Sequence, residues 1–338
     1  MALFSVHNSR IAGVVAAVPR DQVHNTSLDG FGTDEMALLI QTTGIESRRI
    51  APRGMCASDL CYEAALSLLK GLNWQPEEVE ALVFVTQTPD YQLPGNSMLL
   101  QERLGFSTEC MTLDLHQGCS GYVYGLATLS GMMSASGIQK ALLLVGDTIT
   151  HLLDPKDKGT VPIFSDAGSA TALVWDAHAQ PMHFHLQSSG ANSAAIRMEG
   201  SGSRIAEGDG YMRMRGHDIF TFGLKEVAPN IERLLEHCSF EKEKVDYFVF
   251  HQANRLLNES IRKKLNIPSD KVPYTLQEFG NTSCATIPLT LVHCLGDKLG
   301  KKRQNIVLSG FGVGLSWGAA LVPIGEFWSQ EIVEVHAD

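Results

Sequence analysis

Short apolar runs rich in β-branched residues alternate with helical stretches in this chain. In the first half they fall at residues 81–88 (ALVFVTQT), 111–115 (MTLDL), 141–146 (ALLLVG) and 170–175 (ATALVW). Strands without polar alternation are buried on both faces, and such strands in alternation with helices imply a mostly parallel sheet covered by helices. The second half repeats the plan. Its strands are expected at residues 245–250 (VDYFVF), 305–309 (NIVLS) and 318–322 (GAALV), with helices at about 219–236, 254–265 and 285–298. Sixty positions separate Leu82 from Leu142, and 59 separate Tyr247 from Ile306. That near-equality predicts an internal duplication. Each half closes on a Gly-containing turn before a small-residue strand, SDAGSATALVW and SGFGVGLSWGAALV. The boundary is expected where DAHAQP interrupts the apolar pattern, giving halves 1–178 and 179–338. No low-complexity linker separates them, so they are expected to share a large interface.

A length of 338 residues fits two core units. The net charge of -10 argues against a nucleic-acid partner, because binding a polyanion needs Lys and Arg to displace counterions. No window reaches the roughly 18 to 20 apolar residues of a membrane span, and the N-terminus has no basic stretch followed by a long apolar one. A cytoplasmic protein with no membrane partner is expected. Seven cysteines, an odd number scattered through a long chain, read as reduced thiols. There is no CxxC, and His116 with Cys119 is a lone H-x-x-C, so neither a metal nor a cofactor is expected.

Three places carry chemistry. Gln117-Gly118-Cys119-Ser120-Gly121 follows a strand and opens a helical run full of small residues. Cys119 is therefore expected on a helix N-terminus, where unpaired N–H groups and the dipole favour a thiolate of depressed pKa, although a buried structural thiol remains the alternative. Strand 245–250 runs directly into His251, which places this residue at the C-terminal edge where open α/β sheets bind ligands. Gly280-Asn281-Thr282-Ser283 reads as a tight turn and cap before another helix. Taken together, Cys offers a covalent attachment point, while an imidazole N–H and an amide N–H can both donate to a thioester enolate. Decarboxylative carbon–carbon bond formation needs such a pair.

At this point the chain resembles the 3-oxoacyl-[acyl-carrier-protein] synthase III family of the thiolase superfamily. The resemblance runs through TGIESRRIA, QGCSG, DPKDKGT, FSDAGSATALV, HQAN, GNTS and GFGVGLSWGAALV, with 132 positions from Cys119 to His251. It implies an α/β, thiolase-like fold of five layers, αβαβα, in a homodimer. The implied reaction is acyl transfer to Cys119 from acyl-CoA or an acyl-carrier protein, followed by Claisen condensation with malonyl-carrier protein. His251 and Asn281 would hold the thioester carbonyl. The backbone N–H groups of Cys119 and Val313 would form the oxyanion hole, Val313 standing where the family usually has Gly. Lys158, Gly216 and Phe220 would contact substrate, and Leu93 would reach across the dimer.

The match is uneven around the donor. The family's adenine-clamping Trp is Leu38 here, an Arg is Thr42, an Asn is His217, and the Arg two residues after HQAN is Leu256. A carrier protein therefore competes with CoA as donor. Such a partner is acidic, which makes Arg255, Arg262, Lys263 and Lys264 candidates for docking it, beside the plainer reading of an ordinary solvated helix face. Three other readings stay open. His251 could act as base in an ester- or amide-forming acyltransferase; the three residue types also serve papain-like hydrolases; and a silent subunit could merely shape a partner's site.

Overall fold

Leu82 and Leu142 are register partners on adjacent parallel strands, and so are Tyr247 and Ile306 on another pair. The spacing that repeats in the sequence is thus one β-crossover-β unit used twice. The computed structural model describes residues 2–203 and 208–336. The first half runs β1 (Ala2–Val6), β2 (Ser9–Pro19), β3 (Gln22–His24), α1 (Thr33–Thr43), β4 (Ser47–Arg49), α2 (Ala57–Leu72), β5 (Ala81–Val85) and α3 (Asn96–Arg103). It continues through β6 (Met111–Leu115), α4 (Gly121–Ser136), β7 (Lys140–Asp147) and β8 (Ala167–Trp175). The second half has β9 (Met182–Ser188), β10 (Ile196–Met198), β11 (Met212–Met214), α5 (Gly216–His237), β12 (Tyr247–Phe250), α6 (Arg255–Lys264) and α7 (Leu276–Phe279). It ends with α8 (Thr286–Leu295), β13 (Gln304–Gly312), β14 (Ser316–Ile324) and β15 (Val333–Val335).

A six-stranded sheet has the order β15-β2-β8-β7-β5-β6, and a five-stranded sheet the order β1-β9-β14-β13-β12. Both are mixed, which corrects the expectation of mostly parallel sheets. In each repeat two parallel strands (β5 and β7, β12 and β13) are followed by an antiparallel one (β8, β14) and then another (β2, β9). The reason lies in the connections. Only residues 313–315 separate β13 from β14, and a tight turn of that kind reverses the chain. Strand β2 is a further correction. Residues 11–18, read from sequence only for the lack of a leader, form a wholly buried central strand.

Three hydrophobic clusters define five layers. Leu60, Ala64 and Leu68 of α2 pack on Leu82, Leu142 and Ala172 on the outer face of the six-stranded sheet. Between the sheets, Val123 and Leu126 of α4 and Ile287 and Leu291 of α8 meet Val83, Leu143, Ile306 and Val322. On the far side, Ile231 and Leu234 of α5 and Leu257 and Ile261 of α6 cover Phe248 and Leu321. Burial of each such Leu, Ile, Val or Phe side chain contributes about 2 kcal/mol. Small residues in α4 suit its central place, since both sheets press on it. The chain ends are exchanged: β1 pairs with β9 in the second sheet, and β15 with β2 in the first.

Candidate active site

The middle layer brings the loops after β6, β12 and α7 to one place. Cys119 follows the end of β6 and precedes Ser120, the N-cap of α4. Its immediate surroundings are pinned from the other half. Ser120 Oγ lies 2.7 Å from Ser316 Oγ, and Ser316 Oγ donates to Val313 O at 2.8 Å, tying the helix start to the turn between β13 and β14. Gly312 passes so close that a Cβ there would stand 2.7 Å from both Cβ and Sγ of Cys119. Only glycine permits that approach.

His251 is the first residue beyond β12, and its N–H donates to Ser309 O at 2.7 Å, extending the strand register by one step. Its carbonyl accepts from Asn258 Nδ2 at 3.0 Å. The ring is fixed by a 2.8 Å contact from Nδ1 to Thr286 Oγ1 and by the edge of the Phe311 ring. Asn281 follows Gly280, whose φ of 59° ends α7. Its backbone bridges to the loop before β8, donating to Ile163 O and accepting from Ser165 N–H, both at 2.9 Å. Asn281 Oδ1 accepts the Ser283 N–H at 3.0 Å, so the amide presents Nδ2 outward. Ser283 holds a left-handed φ of 51°, a conformation costing about 1 kcal/mol in a non-glycine residue.

Cys119, His251 and Asn281 line one apolar cavity of about 150 Å³, together with Phe164, Phe220 and Phe311. Larger clefts of 570 and 720 Å³ lie elsewhere, but polar side chains such as Arg53, Asp59 and Glu63, or Asp297 and Lys298, shape those. The small apolar cavity holds convergent reactive groups.

Burial dominates the electrostatics. It pushes the Cys119 thiol from an ordinary value near 9 to about 11; Val313 N–H, the Cys119 N–H and the Ser283 hydroxyl act in the opposite sense, and Asp147 adds to the rise. The depressed pKa expected from the helix N-terminus is therefore corrected. Two pKa units correspond to about 2.7 kcal/mol, whereas a helix dipole offers about 0.3–1 kcal/mol. Burial likewise lowers His251 to about 3, with the Ser283 backbone opposing, so the imidazole is neutral. Neutral His and Asn are hydrogen-bond donors, not fixed charges.

Comparison with known proteins settles the family. Residues 113–190 match the 3-oxoacyl-[acyl-carrier-protein (ACP)] synthase III model, and residues 235–324 match the model of its C-terminal part. The beta-ketoacyl-[acyl-carrier-protein] synthase III of Hyphomonas neptunium is 31% identical over 318 residues, covering 93% of this chain and 98% of the relative. The chain belongs to the 3-oxoacyl-[acyl-carrier-protein] synthase III family. The Streptococcus agalactiae synthase III is 32% identical over 325 residues, covering 94% of this chain and 99% of its own. The solved 3-oxoacyl-(acyl-carrier protein) synthase of Burkholderia xenovorans superposes with a TM-score of 0.94 at 33% identity, over 97% of this chain and 99% of that one. This synthase III member is accordingly an acyltransferase of the condensing type, and its five layers are the thiolase-like fold.

Other residues singled out from the sequence of this synthase III member fall in different places. Gly216 and Phe220 line the cavity at the start of α5, and the Val313 N–H faces the Cys119 sulfur. Lys158 is paired with Glu35 at 3.0 Å and stacked over Phe31, on the surface beside α1. Leu93 is 87% exposed and does not line the cavity. On α6, Arg262 is held by Glu259 at 2.8 Å and donates to Ile267 O at 2.7 Å. Lys264 reaches Leu224 O, while Arg255 lies over Tyr274. Sequence reasoning missed Ser283 and Thr286, which contact Asn281 and His251, although both stand in the GNTSCAT stretch. It also missed Ile196 and Met214, cavity-lining residues on the β10–β11 ribbon whose sequence gives no apolar period.

Among the described residues no helix is long and apolar enough to cross a membrane. Nor do three or more His, Cys, Asp or Glu side chains gather there to hold a metal.

Proposed function

We propose that Cys119 carries the acyl group and that His251 and Asn281 stabilise the enolate formed when a malonyl thioester loses carbon dioxide. The first step exchanges thioesters: the Cys119 sulfur attacks the acyl carbonyl, and its proton leaves with the departing carrier thiol. In the second, decarboxylation leaves a carbanion that attacks the Cys119 thioester and expels the sulfur, which regains a proton. The N–H groups of Cys119 and Val313 serve as the oxyanion hole of both transfers. The arrangement that carries this reading is the pinned amide: with Oδ1 held by Ser283, Asn281 can only donate into the cavity. A base-catalysed ester synthesis would have no use for that donor. Residues 1–178 then supply the nucleophile, and residues 179–338 the enolate-binding pair.

For the acyl donor we favour a carrier protein over CoA. Leu38 and Leu256, 63% and 50% exposed on α1 and α6, stand where the resemblance would put the adenine-clamping Trp and an Arg, and Lys158 is engaged by Glu35. The second substrate is a malonyl-carrier protein. Tyr91, Leu93, Met98 and Met111 are exposed around α3 and the edge strand β6, a surface that a second copy would cover, carrying Leu93 to the neighbouring site. The seven unpaired cysteines fit a cytoplasmic homodimer.

Intact-protein mass spectrometry with a panel of acyl-CoAs and acyl-carrier proteins, followed by malonyl donors, tests the scheme. The added mass should vanish in Cys119→Ala. In Asn281→Ala it should persist while carbon dioxide release slows about 100-fold, the cost of one lost oxyanion-type donor. Product formed by the wild type without carbon dioxide would promote ester or amide synthesis instead.

A further inference from the structure

Thr286, the first residue of α8, is buried and outside the cavity, yet its hydroxyl touches the catalytic imidazole. Oγ1 stands 2.8 Å from His251 Nδ1 and 3.1 Å from the carbonyl of Ser283. A hydroxyl has one proton, and two acceptors compete for it. If Thr286 donates to Ser283, the ring must place its single proton on Nδ1, and Nε2 becomes a bare lone pair. If Thr286 donates to Nδ1, the proton sits on Nε2, the nitrogen with no partner among the described residues. The two tautomers support opposite chemistry, one a base and the other a donor.

We propose that Thr286 is a positioning residue that donates to Nδ1, fixes His251 as the Nε2–H tautomer, and so commits the site to condensation. One observation favours this direction. The Ser283 carbonyl already accepts the backbone N–H of Thr286, so it does not need the hydroxyl, whereas Nδ1 has no other donor among the described residues. The same carbonyl faces the imidazole and offers the rival tautomer a partner, which makes the hydroxyl the deciding element. The inference rests on the condensing role proposed for His251, but it concerns an atom that can be observed without turnover.

The test uses full-length protein with 15N-labelled histidine, the His251 ring resonances being identified by their loss in His251→Gln. The wild type should show a protonated Nε2 and an unprotonated Nδ1. Thr286→Val removes the hydroxyl at nearly constant volume and should move the proton to Nδ1, where Ser283 can accept it. Condensation kcat should then fall about 100-fold, as when one oxyanion-type donor is lost, with acylation of Cys119 and KM for the malonyl thioester nearly unchanged. Thr286→Ser should restore both tautomer and rate. A wild-type ring protonated on Nδ1 overturns the proposal, as does a Thr286→Val enzyme that keeps Nε2–H and full turnover. Should Thr286→Val fail to fold, the wild-type spectrum and Thr286→Ser still decide. Absence of condensation in wild type with Nε2–H intact would instead count against the proposed function.

Discussion

The His251 and Phe311 rings meet edge to face, their centroids 5.5 Å apart and their planes at 89°. An imidazolium in that apolar corner would lose its hydration with no carboxylate among the described residues to repay it, and the folded pKa falls to about 3. The unfolded chain, with an ordinary value near 6.5, takes up a proton that the folded one refuses.

Stability should therefore drop as pH falls from about 6.5 toward 3, by about 1.4 kcal/mol per unit from this residue. Burial pushes Asp166 upward, which favours the folded state in acid and opposes the trend. Urea unfolding of wild type and His251→Gln separates the two. Between pH 6.5 and 4.5 the wild type should lose about 2 kcal/mol more than the variant, and parallel pH profiles would refute a buried neutral imidazole.

Alkylation of Cys119 should be slow at neutral pH. With the thiol near 11, the thiolate is scarce at pH 7, and the reaction with iodoacetamide should accelerate about tenfold per pH unit through pH 9. Peptide mass spectrometry measures this directly. A rate that levels off below pH 8 would restore the activated thiolate expected from the helix N-terminus alone.

Charge reversal on α6 should divide along structural lines. Arg255 and Lys263 are exposed, so Arg255→Glu with Lys263→Glu should raise KM for a carrier-protein substrate several-fold and flatten its salt dependence, leaving small thioesters unaffected. Arg262→Glu breaks the internal pairing with Glu259 and should lower the melting temperature instead. An unchanged carrier KM in the double variant would remove α6 as the docking surface.

Much of this molecule is written in local pattern, and what is not shares a cause. Leu82 with Leu142 and Tyr247 with Ile306 were countable because each pair of parallel neighbours is joined by a helix-containing crossover of nearly equal length. The antiparallel course of β8 and β14 depends on connections without such a helix; the glycines of SGFGVGLSW signalled a turn but not a reversal of direction. Cys119 sits where its sequence context places it, at a strand-to-helix turn. Its high pKa comes first from burial, to which Gly312 at the end of β13 contributes by its close approach, and then from Asp147, neither of which any window around Cys119 contains. GNTS is a turn, as its residues suggest, and Ser283 is also the clamp on Asn281. A turn signature does not say what its N–H groups will hold.

The exchange of chain ends also sets a timetable for synthesis on the ribosome. Strand β2 emerges about 300 residues before its outer neighbour β15, and Trp328, whose backbone exchanges hydrogen bonds with Ala12 and Val14, comes only slightly before β15. Until then a nascent chain carries β2 with one edge unpaired, and β1 waits for β9. Cys119 emerges well before His251 and Asn281. A chain cut before β12 thus holds the Cys119 thiol without His251 and Asn281 beside it.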